Sequence, residues 1–79
     1  MAEVDETIKG MLMKSFDMKP EELTMEANLK KDLEMDSLEM VELEVALEKE
    51  FKIDITDGEI TNKNCVGDVI KVVQDKLKQ

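Results

Sequence analysis

At 79 residues the chain has room for one domain, near the lower limit for folding on a single apolar core. Its 20 acidic residues against 11 basic ones give a net charge of −9, which repels nucleic acid and anionic lipid and attracts basic partners. Histidine is absent and Cys65 is the single cysteine, which excludes an internal disulfide, zinc and most metal-centred catalysis. Acidity with few aromatics can signal disorder, but 42% apolar content in helical periodicity argues for a folded domain. The first apolar run is short and broken by charge, and no stretch approaches membrane-spanning length. A monomer in the reducing cytoplasm is expected, with no metal, no nucleic acid and no membrane insertion.

The spacing of Val4, Ile8, Met11, Leu12 and Phe16 predicts an amphipathic helix over about 4–16, with Asp5 and Glu6 at the positive end of its dipole. Pro20 interrupts its continuation. A long connection from Met18 to Met35 follows, and Glu21 and Glu22 after Pro20 suit a helical turn. Met18, Leu23, Met25, Leu29 and Leu33 are anchors enough to pack this connection down as an ordered crossover. Its length permits the first two helices to run in similar directions. A central helix is predicted from Asp36 or Ser37 to near Phe51, with Asp36 as N-cap and Glu39 completing a capping box. Ile53-Asp54-Ile55 reads as extended without a partner, Thr56-Asp57 as a turn, and Gly58 to Thr61 as one short helical piece. The last helix begins after Asn62-Lys63-Asn64 and carries Val66, Val69, Ile70, Val73 and Leu77, with Lys76 and Lys78 suiting its C-terminal dipole. The expected fold is all-α: a small four-helix bundle of three main helices and one short one, with a long ordered loop between helices one and two.

On a wheel of roughly 100° per residue the central helix shows two apolar stripes. Met40, Leu43, Leu47 and Phe51 form the core face. Leu38, Val41 and Val45 form a second stripe, flanked by Glu42 and Glu48 with Lys49 beside it. A bundle helix needs one buried stripe, so the second is either covered by the loop or a docking surface with an apolar centre and acidic rim.

Ser37 projects from the start of this helix. A nucleophilic serine needs a nearby base, and histidine is absent, while Lys30, Lys31 and Lys49 form no recognisable dyad with it. The Asp36 carboxylate is a poor base at its ordinary pKa. Two readings stay open from the residues alone: Ser37 helps to cap the helix, or it accepts a group that another enzyme delivers. A phosphodiester there would sit beside free backbone N–H groups at the positive helix end.

Leu33-Glu34-Met35-Asp36-Ser37-Leu38-Glu39-Met40-Val41-Glu42-Leu43, continued by Ala46-Leu47-Glu48-Lys49-Glu50-Phe51 and Ile53-Asp54-Ile55, resembles the attachment motif of stand-alone acyl carrier proteins of fatty acid synthesis. The family layout covers the rest of the chain as well. The resemblance implies one carrier domain over residues 1–79 that is itself non-catalytic. It implies a 4′-phosphopantetheine arm, taken from coenzyme A by a phosphopantetheinyl transferase with Mg²⁺ and joined to Ser37, with Asp36 and Leu38 as its motif neighbours. The arm's thiol would carry acyl groups as thioesters between the enzymes of fatty acid biosynthesis. Val41, Glu42, Val45 and Glu48 match family positions that meet partner enzymes with basic docking patches. The alternatives are another cargo, a polyketide intermediate or D-alanine, or an acidic helical adaptor that carries nothing.

Several residues depart from the family pattern. Leu33-Glu34-Met35 stands where Leu-Gly-Ala is usual, so Glu34 replaces a flexible glycine and implies a stiffer approach to Ser37, and Asp17 follows Phe16 where glycine is frequent. Lys49 breaks an acidic run, and Glu44 occupies a usually apolar position near the edge of the core. Cys65 stands where a hydroxyl residue is common and reads as a small buried hydrophobe rather than a redox centre. Methionines such as Met11, Met13, Met18 and Met40 either fill irregular gaps or line a deformable interior. Asp54, Asp57 and Glu59 fail the spacing of a calcium loop.

Overall fold

A computed structural model describes residues 2–56 and 58–78. The apolar spacing of the N-terminal segment produces α1, Ala2–Ser15, which buries Ile8 and Leu12 completely. Val4, Met11, Met13 and Phe16 pack against that core while half-exposed. The helix closes on the Leu12 carbonyl, which accepts the amides of Phe16 (3.1 Å) and Met18 (3.3 Å). Asp17 takes the left-handed conformation (φ 57°) that such a closure favours. Asp is among the non-glycine residues that tolerate this conformation.

The crossover from α1 to the second helix is ordered, as its anchors suggest. One 3-10 turn, Pro20–Glu22, lies within it, and Leu23, Ala27, Leu29 and Met35 are buried in the core. Met18 and Leu33 are partly buried. Met25, expected as an anchor, is instead exposed, and it is the Met25 backbone that holds the segment. Its carbonyl accepts the Gly67 amide at 3.0 Å. A Cβ at residue 67 would stand 3.1 Å from that carbonyl oxygen, so the glycine permits the close approach.

The central helix, α2, runs Ser37–Phe51, and the last helix, α3, runs Val66–Leu77. Val66, Val69, Ile70 and Val73 of α3 are buried, and the helix packs against both α1 and α2. Leu77, placed in the same stripe by its spacing, is exposed at the helix end. No helix among the described residues is long and apolar enough to cross a membrane.

The all-α class and three main helices agree with the expectation, but the short helical piece differs in place. It is the 3-10 turn at Pro20–Glu22, whereas the described residues of 58–61 form a turn and a bend. Gly58 sits at φ 91°, outside right-handed helical space, and the Glu59 amide closes a single turn on the Thr56 carbonyl (3.0 Å). Thr56 in turn donates its amide to the Glu59 carboxylate at 2.7 Å. Asp57, also expected in this turn, lies outside the described residues.

Candidate functional site

The start of α2 is built from its own residues. Asp36 has extended backbone, and its Oδ1 accepts the Glu39 amide at 2.8 Å. Glu39 returns the favour through Oε1, which accepts the Asp36 amide at 3.1 Å. This is the reciprocal capping box that the sequence announces. Because Asp36 makes the cap, the Ser37 hydroxyl is not needed for it. Ser37 is exposed, and its hydroxyl has no hydrogen-bond partner among the described residues.

The approach to this serine is pinned from behind. Met35, two residues earlier, is buried; its amide donates to the Leu29 carbonyl (2.8 Å) and its carbonyl accepts Asn62 Nδ2 (3.3 Å). Glu34 adopts the left-handed conformation at φ 56° and donates its amide to the Lys30 carbonyl at 3.1 Å. A residue with a Cβ costs about 1–2 kcal/mol in that conformation, so the stiff approach read from Glu34 takes the form of stored backbone strain.

Along α2 the two stripes separate as the helical wheel places them. Met40, Leu43 and Leu47 are buried, and Phe51 closes that face half-exposed. Leu38, Val41 and Val45 are 69%, 55% and 43% exposed, so the crossover does not cover the second stripe. Glu42 and Lys49 are exposed at its edges, and Glu44 is half-buried. Glu48 is half-buried as well, because its Oε2 accepts the Ile55 amide at 3.0 Å. One carboxylate of the rim therefore also holds down the segment after α2, where Lys52 turns the chain at φ 55°.

The Ser37 hydroxyl is exposed and uncommitted at this site. The chain has no histidine, and no lysine is in hydrogen-bond contact with Ser37 among the described residues. An outward-facing hydroxyl without competing bonds, at a helix start whose remaining amides can meet a phosphate, fits an attached phosphodiester arm. No cluster of three or more metal-ligating side chains occurs among the described residues. Cys65 is half-buried at the N-cap of α3, with its amide donating to Asp68 Oδ2 at 2.9 Å.

Some contributors carry little sequence signal. Asn28 accepts the amides of Lys30 (3.0 Å) and Lys31 (2.8 Å) through Oδ1 and donates Nδ2 to the Lys63 carbonyl (2.9 Å). It thereby staples the crossover to the segment before α3. Only its place ahead of a polar turn hints at this, since asparagine side chains readily bond to nearby backbone. The bond from Glu48 to Ile55 likewise has no sequence signature.

Comparison with known proteins bears on this geometry. The family model described as "Phosphopantetheine attachment site" matches residues 6–73. An acyl carrier protein of Phenylobacterium zucineum (strain HLK1) is 38% identical over 77 residues, which cover 98% of this chain and 98% of that protein.

Proposed function

The chain belongs to the acyl carrier proteins, the family of the phosphopantetheine attachment site, and from that premise we propose that Ser37 is the residue that bears the 4′-phosphopantetheine arm. The observation that carries this reading is the exposed, uncommitted Ser37 hydroxyl at a helix start that Asp36 caps instead. When attached, the arm supplies a terminal thiol that holds acyl groups as thioesters. Asp36 keeps the helix start intact while Ser37 is modified. Leu38 continues the exposed surface away from the attachment point. Met35, bonded to Leu29 and Asn62, keeps that point at a fixed place on the domain.

The chain acts as a single non-catalytic carrier domain over residues 1–79. Another enzyme supplies the base and the metal for loading, since Ser37 has no base within reach. The cargo is acyl intermediates of fatty acid biosynthesis, and the work is done in the cytoplasm. Leu38, Val41 and Val45 supply apolar contact, and Glu42 and Glu48 with the rest of the acidic rim draw in basic patches on the phosphopantetheinyl transferase and the synthesis enzymes. The uncovered stripe supports this, because the fold makes no use of it.

The test is direct. Incubation with coenzyme A, Mg²⁺ and a broad-specificity phosphopantetheinyl transferase adds one phosphopantetheine to the intact mass, and Ser37→Ala removes the gain. An unchanged wild-type mass would overturn the assignment. Thioesters recovered from the native source identify the cargo.

A further inference from the structure

We propose that Lys30, Lys31 and Lys63 form a second docking spot of opposite sign, which pairs with carboxylates on the enzyme that loads Ser37. The inference rests on the loading of Ser37 proposed above. These three exposed lysines share one surface concavity with Asn28. Setting them aside leaves 8 basic residues against 20 acidic ones, so the rest of the chain carries −12 and these three lysines are a cluster of the opposite sign.

The patch is built rather than incidental. The Asn28 side chain bonds to the backbone of all three lysine residues, at 2.8–3.0 Å. The Lys30 amide also donates to the Asn62 carbonyl (2.9 Å), and the Leu29 amide to that of Asn64 (3.0 Å). The one carboxylate bonded within this staple, Asp32, accepts the Asn28 amide at 2.7 Å. None of the three lysines forms an ion pair among the described residues, where Lys76 with Glu59 is the pair that does form. The backbones of three lysines are thus held together on one frame with a single carboxylate, Asp32, bonded within it, an excess of like charge that favours contact with an anionic surface.

Position selects the partner. The same loop is bonded to Glu34 and Met35, just ahead of Ser37, so an enzyme that reaches the serine comes down beside the lysines. A docking footprint with carboxylates opposite this patch and basic groups opposite α2 fixes orientation, which a single-sign field does not.

The sign of the outcome makes the test decisive. For a partner that is basic throughout, removing lysines from this chain strengthens attraction. Apo protein and the Lys30→Gln/Lys31→Gln/Lys63→Gln variant are first shown by intact mass to load to completion with the transferase of the same organism. A wild-type chain that does not load refutes the Ser37 reading, separately from the patch. Steady-state loading then gives KM for the apo protein at saturating coenzyme A. The expected result is a KM raised roughly three- to tenfold with kcat little changed, as a few rim ion pairs provide. Lys63→Gln alone, which leaves the crossover untouched, shifts KM in the same direction. A control with the same loss of charge, Lys9→Gln/Lys14→Gln/Lys71→Gln, lowers KM or leaves it in place. A KM that is unchanged in the patch variant, or that falls alike in both triple variants, overturns the proposal. So does a rise confined to the KM for coenzyme A, measured in turn at saturating apo protein, which would assign the lysines to the phosphates of that substrate.

Discussion

α2 and α3 are amphipathic helices of similar length that begin in different ways. The start of α3 is bound up in the fold: the Val66 amide donates to the Ala27 carbonyl and the Gly67 amide to that of Met25, both at 3.0 Å. The crossover thus supplies acceptors that a helix end otherwise lacks. The start of α2 needs no such help, because Asp36 and Glu39 satisfy each other's amides. Their flanks differ in the same sense. α3 buries one stripe of Val66, Val69, Ile70 and Val73, whereas α2 buries Met40, Leu43 and Leu47 and leaves Leu38, Val41 and Val45 uncovered. A helix capped by its own side chains can present its first turn and a flank to other molecules while its core stripe secures the fold.

The largest effect that tests this division comes from one substitution in each stripe of α2. Leu47 is fully buried, so Leu47→Ala is expected to cost about 2–5 kcal/mol in urea unfolding. Val41→Lys, on the exposed stripe, is expected to change stability by less than about 0.5 kcal/mol. It should nevertheless raise KM for the loading transferase on the order of tenfold, through a lost apolar contact and a charge of the wrong sign. Equal destabilisation by the two substitutions would erase the distinction between the stripes.

A smaller effect separates the two helix starts. Asp36→Ala removes the side-chain cap of α2 and is expected to cost about 0.5–2 kcal/mol. At the corresponding position of α3, Cys65 makes no side-chain cap bond, and neighbouring carbonyls take up the nearby amides. Cys65→Ser offers a hydroxyl acceptor in the extended conformation that an N-cap requires, and is expected to gain up to about 1 kcal/mol. A loss on Cys65→Ser would mean that the thiol contributes as a packed hydrophobe instead. Urea titrations of both variants, compared at constant m-value, provide the measurement.

What could be read from the residues follows the range of the interactions concerned. The three helices, the capping box and the two stripes of α2 depend on neighbours within about a turn, and periodicity reports those directly. The bonds of Leu29 to Asn64 and of Lys30 to Asn62 join backbone groups some thirty residues apart and leave no side-chain pattern. The same gap explains Met25, whose spacing suggested a buried anchor although its backbone makes the contact. In the segment after α2, Glu59 three residues beyond Thr56 imitates a helix start. The hydrogen bonds are present, but Gly58 turns the chain before a second turn can form. The acceptor role proposed for Ser37 is legible only because its neighbours carry the motif. Geometry adds that its hydroxyl is uncommitted, which composition and spacing do not reveal.

The smallest predicted effect concerns how the α3 side is fastened. Glu59 Oε1 meets Lys76 Nζ at 2.9 Å and also accepts the Thr56 amide, and these bonds hold the Glu59 carboxyl down at about 2 against an ordinary value of 4.5. Because the folded state depresses this pKa, the unfolded chain takes up the proton first as the solution is acidified. The contribution of Glu59 is therefore complete above about 4.5 and is lost as pH falls toward about 2. Acidification simultaneously relieves repulsion among the other carboxylates of a chain at −9, so the total stability curve mixes two opposing trends. The difference between wild type and Glu59→Gln isolates the pair. Wild type should melt higher at neutral pH, and the gap should close across that acidic window. A gap that stays constant with pH would show that the carboxylate is not the source of the advantage. Salt should narrow the neutral-pH gap as well, because the pair lies at the surface and is open to screening.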